Sequence, residues 1–226
     1  MSALLPLFVL DVVLFPGAPL PLHVFEPRYR RLLADCLEGD RRFGIAPPAE
    51  PGEVPEPGAV GCVAEVRAVQ PRPDGRADIV VVGVERFTVR EVREASSETP
   101  YATAVVEVFE DDAGTEPRAE DAERLSALLT RCVSALHELA ESEDDAGFAD
   151  VPDDATALSF RAAALLPGDA APKRRMLEMR STAERTALLL RILPPLAEQT
   201  ESAAAVHRGA RHNGRGHHRS DFGPAR

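Results

Sequence analysis

The chain has 226 residues, 44% of them apolar, and a formal net charge of −11. That length and composition suit one globular domain or two small packed ones and exclude a fibrous or wholly disordered chain. With no Trp, aromatics at 5% and an acidic balance, stacking on single-stranded nucleic acid and adhesion to anionic membranes are poorly supplied.

The charge is unevenly spread. In residues 201–226 five arginines stand against Glu201 and Asp221, so that stretch carries +3 and the first 200 residues carry −14. The cysteines are Cys36, Cys62 and Cys132, an odd number with no C-x-x-C pair. A disulfide framework or structural zinc site is not expected, and the pattern suits a reducing, cytoplasmic setting. The opening MSALLPLFVLDVVLF has no basic leader and is interrupted by Pro6 and Asp11, so neither a secretory signal nor a membrane span is expected.

In chain order, Leu4–Leu10 and Leu20–Phe25 read as strands separated by the turn signal Phe15-Pro16-Gly17. From Pro27 the period changes. Tyr29, Leu32, Leu33, Cys36 and Leu37 fall on one helical face, Pro27 suits the first helical position, and Gly39 suits a left-handed stop. Arg42–Ala46 is a short strand, and the Pro- and Glu-rich stretch 47–57 is an exposed loop. Three longer strands follow at Val60–Val69, Asp78–Val92 and Tyr101–Glu110. The first two are joined by the tight turn Pro73-Asp74-Gly75. The middle strand is apolar on both faces as far as Val84. It then alternates, with Phe87 and Val89 inward and Arg86, Thr88 and Arg90 outward.

Beyond a linker at 111–118 the chain turns helical. Leu125, Leu128, Leu129, Cys132, Leu136 and Leu139 form a stripe that the acidic run Glu141–Asp145 ends. Asp153 or Asp154 caps a second helix stopped by Pro167-Gly168, and a short helix spans about Pro172–Met179. Ser181 and Glu184 form a capping-box pattern at the start of a last helix, which Pro194-Pro195 ends or kinks. Residues 199–226, with His207, His212, His217 and His218 among the arginines, read as a disordered basic tail. The expected organisation is therefore α+β: a β subdomain over 1–112, a helical subdomain over 118–198, and the tail at 199–226.

Several of these segments carry a more specific pattern: LPLF at Leu5–Phe8, VLFPGAPLPLHVFEPRYRRLLADCL at Val13–Leu37, RFGIA at Arg42–Ala46 and GVERFTV at Gly83–Val89. PYATAVVEVFED at Pro100–Asp112, ALSFRAAALLP at Ala157–Pro167 and the stretch Lys173–Leu193 extend it. This resembles the substrate-binding domain family of Lon proteases over roughly residues 4–197. The joined LFPG, FEPRY and G-x-x-RF elements carry the likeness, and Val9 departs from a proline common there. The resemblance implies a PUA-like β pseudo-barrel with one packed helix, followed by a C-terminal helical bundle. It also implies a role: recognition of unfolded or peptide-like protein segments, which full-length Lon passes to its ATPase and peptidase.

Catalytic equipment for those later steps is not expected in these residues. The single lysine, Lys173, sits in Pro-Lys-Arg-Arg, outside any G-x-x-x-x-G-K-[ST] loop, and cannot also serve a Ser–Lys dyad. No G-x-S-x-G elbow occurs, and Cys36 with His23 is a remote nucleophile–base option. The chain is thus expected to be a stand-alone, non-enzymatic module with no catalytic residue, cofactor or metal. It would bind its peptide along a sheet edge or in an apolar groove between the two halves.

The candidate peptide-binding residues are Phe8, Phe15, His23, Phe25, Glu26, Arg28, Tyr29 and Arg86. For Phe25, Tyr29 and Phe87 a core position is the preferred alternative. For Glu26 and Arg28 it is a tie between helix start and barrel, and for His23 and Arg86 an ordinary surface position. A role as adaptor or regulator of a separate protease and self-association complete the expected partners; nucleic acid is not expected except through the tail, for which a solvated extension is preferred over contact with RNA or a metal.

Overall fold

The computed structural model describes residues 3–139 and 151–214; the acidic run 141–145 and the last twelve residues of the tail lie outside them. The expected elements form in the expected order. Six strands, β1 (Ala3–Val9), β2 (Pro19–Val24), β3 (Arg42–Ala46), β4 (Val60–Pro71), β5 (Ala77–Arg93) and β6 (Thr103–Val108), enclose a helix α1 (Pro27–Glu38) in sequence. Four helices follow: α2 (Ala119–Leu139), α3 (Ala155–Ala164), α4 (Ala170–Glu178) and α5 (Thr182–Gly214).

The sheet order is β2-β5-β4-β3-β1-β6, and β6 also pairs with β5, so five strands close into a small barrel. Closure depends on the length of β5. Its first part pairs with β2 from Ala77 to Val82, and its last part pairs with β6 from Phe87 to Arg93. Register shifts in β4–β5 and β5–β6 bend the strands, as tight closure of so few strands requires. The β4–β5 hairpin turns at Gly75, whose φ of 79° is open to glycine at no steric cost.

Helix α1 lays Tyr29, Leu32, Leu33 and Cys36 on the barrel, where they meet Phe8, Phe43 and Ile79. Burying four such side chains contributes a gross ~6–12 kcal/mol, most of it offset by ordering entropy. The helix ends differently from expectation. Gly39 has φ −106°, and the left-handed residue is Arg41 at φ 65°. Arg41 is held there because its N–H donates to Cys36 O at 2.9 Å and its Nε to Val66 O at 3.1 Å.

The helical half packs on the barrel through Phe15, Ala18 and Val60, which join Leu125, Phe160 and Leu189 in one apolar cluster. Asp154 caps α3 by accepting the Ala157 N–H, and Ser181 Oγ accepts the Glu184 N–H at the start of α5. Helix α5 departs from expectation at its far end. Of the two outcomes expected at Pro194-Pro195, an end or a kink, the helix does not end there, and residues 199–214, read from composition as disordered, continue it. The reason is tertiary. Ala204 is buried, Arg131 meets Glu201 through two hydrogen bonds at 2.7 and 2.8 Å, and Arg208 pairs with Glu138, so α2 supports the extension as far as Arg208.

Candidate functional site

The strands β2, β5 and the end of β4 form a ribbon with two unlike faces. Leu20, Leu22 and Val24 of β2, with Ala77, Ile79 and Val81 of β5, point into the cluster under α1. Period two therefore turns Pro21 and His23, Asp78 and Val80 to the other face, beside Ala68 and Gln70 of β4. An outer face of an antiparallel ribbon is ordinarily polar. This one holds Pro21, Ala68 and Val80 at its centre, around a cavity of about 470 Å³, with Val80 38% exposed. At its end stands Phe25, 55% exposed, its ring 5.9 Å from that of His23.

The polar groups of this face are paired with one another. His23 Nδ1 lies 2.6 Å from Asp78 Oδ1, and Arg72 Nε donates to Asp78 Oδ2 at 2.7 Å. These hydrogen bonds from His23 and Arg72 hold the Asp78 carboxyl below its ordinary value. Arg67 pairs with Glu65 at 2.8 Å. The face is apolar at its centre and neutralised at its rim, on a chain of net charge −11.

The remaining candidates divide between two other places. Arg28 and Tyr29 line a more enclosed cavity of about 160 Å³, together with Pro48, Glu53, Pro100 and Tyr101. Arg28 Nε donates to Glu26 at 2.9 Å, and its guanidinium lies 4.5 Å from the Tyr29 ring centre. Tyr29 is largely core. It stacks on Phe8 at 3.9 Å and donates its hydroxyl to Val9 O at 3.1 Å, and burial raises its pKa. Phe25, for which a core position was preferred, is not core.

Phe15 and Arg86 lie at the junction of barrel and helices, and both are buried, at 0% and 4% exposure. The expectation that Arg86 faces outward as a surface residue is corrected: its side of β5 is the side the helices cover. Arg86 Nη1 donates to Leu177 O at 2.6 Å and Met179 O at 2.7 Å, and its Nη2 pairs with Asp111. Arg185, fully buried, holds the other oxygen of Asp111 at 2.5 Å and donates to Ser159 Oγ at 2.8 Å. Both guanidinium groups lie within 5 Å of the Phe160 ring centre, at 4.9 and 4.0 Å. The junction is thus filled by an apolar cluster and a charged network. The expectation of a peptide groove between the two halves placed Phe15 and Arg86 among its contacts, and at this junction both are buried.

The nucleophile option also resolves. Cys36 is buried, bonds Arg42 O, and has its thiol pushed up to about 12 by burial, while His23 turns to Asp78. Among the described residues no group of three or more His, Cys, Asp or Glu is placed to hold a metal ion.

Known proteins place this architecture. The model of the ATP-dependent protease La (LON) substrate-binding domain matches residues 4–194. The chain belongs to the Lon substrate-binding domain family. The Lon protease of Parabacteroides distasonis is 26% identical over 206 residues, which cover 87% of this chain and 24% of that protein. That of Cytophaga hutchinsonii is 25% identical, covering 88% and 25%. The chain therefore spans about a quarter of the length of the curated relatives it matches.

Among solved structures, the Lon N-terminal domain protein of Xanthomonas campestris is 27% identical. It superposes at TM-score 0.63 over 85% of this chain and 99% of that one. The N-terminal domain of Mycobacterium avium complex Lon protease, at 18% identity and TM-score 0.60, covers 84% and 97% and shares the fold. The Lon-type substrate-binding domain is the part of those proteins to which this chain corresponds, and no helix among its described residues is long and apolar enough to cross a membrane.

His23 and Phe25, named from sequence as contacts in a peptide groove, stand on this face; Pro21, Ala68 and Val80 were not among the candidates. Their signal was present in the apolar character of both faces of Asp78–Val84, which reads equally as a strand buried on both sides.

Proposed function

We propose that this chain is a non-catalytic module that captures unfolded or peptide-like protein segments on the outer face of β2, β5 and β4, for proteolytic machinery outside these residues. The observation that carries the reading is the exposed apolar centre of that face, Pro21, Ala68 and Val80, flanked by the exposed ring of Phe25. Contiguous apolar surface that the fold leaves uncovered marks an interaction site, because each such group raises the free energy of the free protein in water. His23 and Phe25 would contact the segment directly. Arg28 and Tyr29 border the second cavity, and with Glu26, which is hydrogen-bonded to Arg28, they are the next contacts in reach, whereas Phe8, Phe15 and Arg86 act by holding the framework. In this reading residues 1–112 carry the site and the helical residues 118–198 brace it. The setting is cytoplasmic, and neither cofactor nor metal takes part.

Non-catalytic action is supported by the setting of Lys173 and by three buried cysteines whose thiols are all raised by burial. The test is binding of a fluorescent, denatured model protein. Val80→Asp places a charge at the centre of the face and should weaken capture about tenfold or more. Since Val80 is partly exposed, the thermal midpoint should barely move. Unchanged capture by both Val80→Asp and Phe25→Ser would remove the site.

A further inference from the structure

An extended segment can reach this ribbon in two ways, by adding a strand to an open edge or by laying side chains on the face. The edge of β2 decides between them. Ala18 O accepts from Gly83 N at 3.0 Å, so the even-numbered positions of this segment turn their main-chain groups toward β5. The odd-numbered positions, Pro19, Pro21 and His23, then turn theirs to the open edge. Proline has no N–H, so two of the three donors a new strand would need are missing. The opposite edge, β4 beyond Val66, is no better. Arg41 closes it at Val66 through Val66 N to Arg41 O at 2.9 Å, and a register shift between Val66 and Ala68 breaks the repeat. The charged groups offer little more, since Asp78 is paired with His23 and Arg72, and Arg67 with Glu65.

Resting on the function proposed above, we infer that this face takes uncharged, apolar polypeptide through side chains alone, without strand addition. Recognition is then indifferent to chain direction and to the hydrogen-bonding capacity of the substrate backbone. Proline-containing stretches are as acceptable as any other.

Three labelled peptides test this on the full chain: a short Leu- and Phe-rich sequence, its reversed sequence, and the first sequence N-methylated at every residue, so that neither edge of the peptide keeps a main-chain donor. Side-chain recognition predicts affinities within about threefold of one another and all weakened alike by Val80→Asp. Strand addition would cost the N-methylated peptide several main-chain hydrogen bonds and about tenfold or more in affinity. That outcome, with the parent peptide bound and sensitive to Val80→Asp, overturns this inference and leaves the site standing. A parent peptide that fails to bind, or binds regardless of Val80→Asp, overturns the site and this inference with it. Affinity should also be nearly flat between about 50 and about 300 mM salt, and a steep fall would contradict recognition by a neutral face.

Discussion

Replacing Asp111 with alanine is expected to destabilise the protein by about 3–5 kcal/mol, the cost of breaking a buried ion pair by removing one partner. Asp111 is the only carboxylate in contact with Arg86 and Arg185 among the described residues, and both arginines are nearly inaccessible to water. Without it, two guanidinium groups share an apolar junction with only carbonyl, hydroxyl and aromatic partners, and desolvation of their charge goes uncompensated. In a chain of this length the midpoint of thermal unfolding should fall by on the order of 10 °C. Glu201→Ala, which removes the exposed partner of Arg131, should leave the midpoint nearly unchanged.

The same pair gives a pH signature. Burial pushes the Asp111 carboxyl up. Hydrogen bonds from Arg185 and Thr182 and the charges of both arginines outweigh it, and its folded value lies below the ordinary one. As pH falls, the unfolded chain takes up this proton first, so acid favours unfolding. The contribution is fully present above the ordinary carboxylate range and is lost as pH falls through the lowered folded value. Denaturant titrations of the parent protein and Asp111→Ala should therefore converge in acid. A gap that stays constant with pH would show that the lost stability came from packing rather than charge.

The second large effect is expected at Gly83, the glycine of the G-x-x-RF element. A Cβ built there would sit 2.1 Å from the main-chain oxygen of Phe15 and 3.1 Å from Cys62 Sγ. The first neighbour is backbone and cannot swing aside. Gly83 also accepts from Gly17 N at 2.8 Å and donates to Ala18 O, so the LFPG segment lies directly on β5 at this residue. Gly83→Ala must push that segment away, breaking these bonds and loosening Phe15 from its cluster with Phe160. About 2–3 kcal/mol of stability should be lost, measured by denaturant unfolding. Gly39→Ala is the control. Its nearest neighbours stand at 3.7 Å, and its change should stay below about 1 kcal/mol. If the two variants unfolded alike, close approach would not be what excludes a side chain at position 83.

These two residues give physical content to motifs that are otherwise only patterns. LFPG and G-x-x-RF occur far apart in the chain and meet because Gly83 admits the backbone of Phe15. Arg86, three residues on, crosses to the helices, and Phe87 fills the barrel. FEPRY divides similarly: Tyr29 belongs to the core, Phe25 stands in solvent, and Glu26 and Arg28 bond to each other.

What the sequence determined by itself was most of what is local or periodic; the stop at Gly39 and the outward side of Arg86 were the exceptions. Alternation at period two and the helical spacing from Tyr29 to Leu37 state which side chains share a face, since backbone geometry alone dictates that. Pro27, Asp154, the Ser181–Glu184 pair and the Pro-Asp-Gly turn state where elements begin and reverse, because the groups involved are a few residues apart. Only the tertiary structure decided what covers each face. Val80 and Arg86 lie on the same strand, yet helices bury the arginine and the described residues leave the valine 38% exposed. Residues 199–208 pack along α2 through Glu201, Ala204 and Arg208, a neighbour their own polar composition does not reveal. Burial is a property of what packs against a residue from elsewhere in the chain, and for that reason the candidate site became visible only once the strands and helices were assembled.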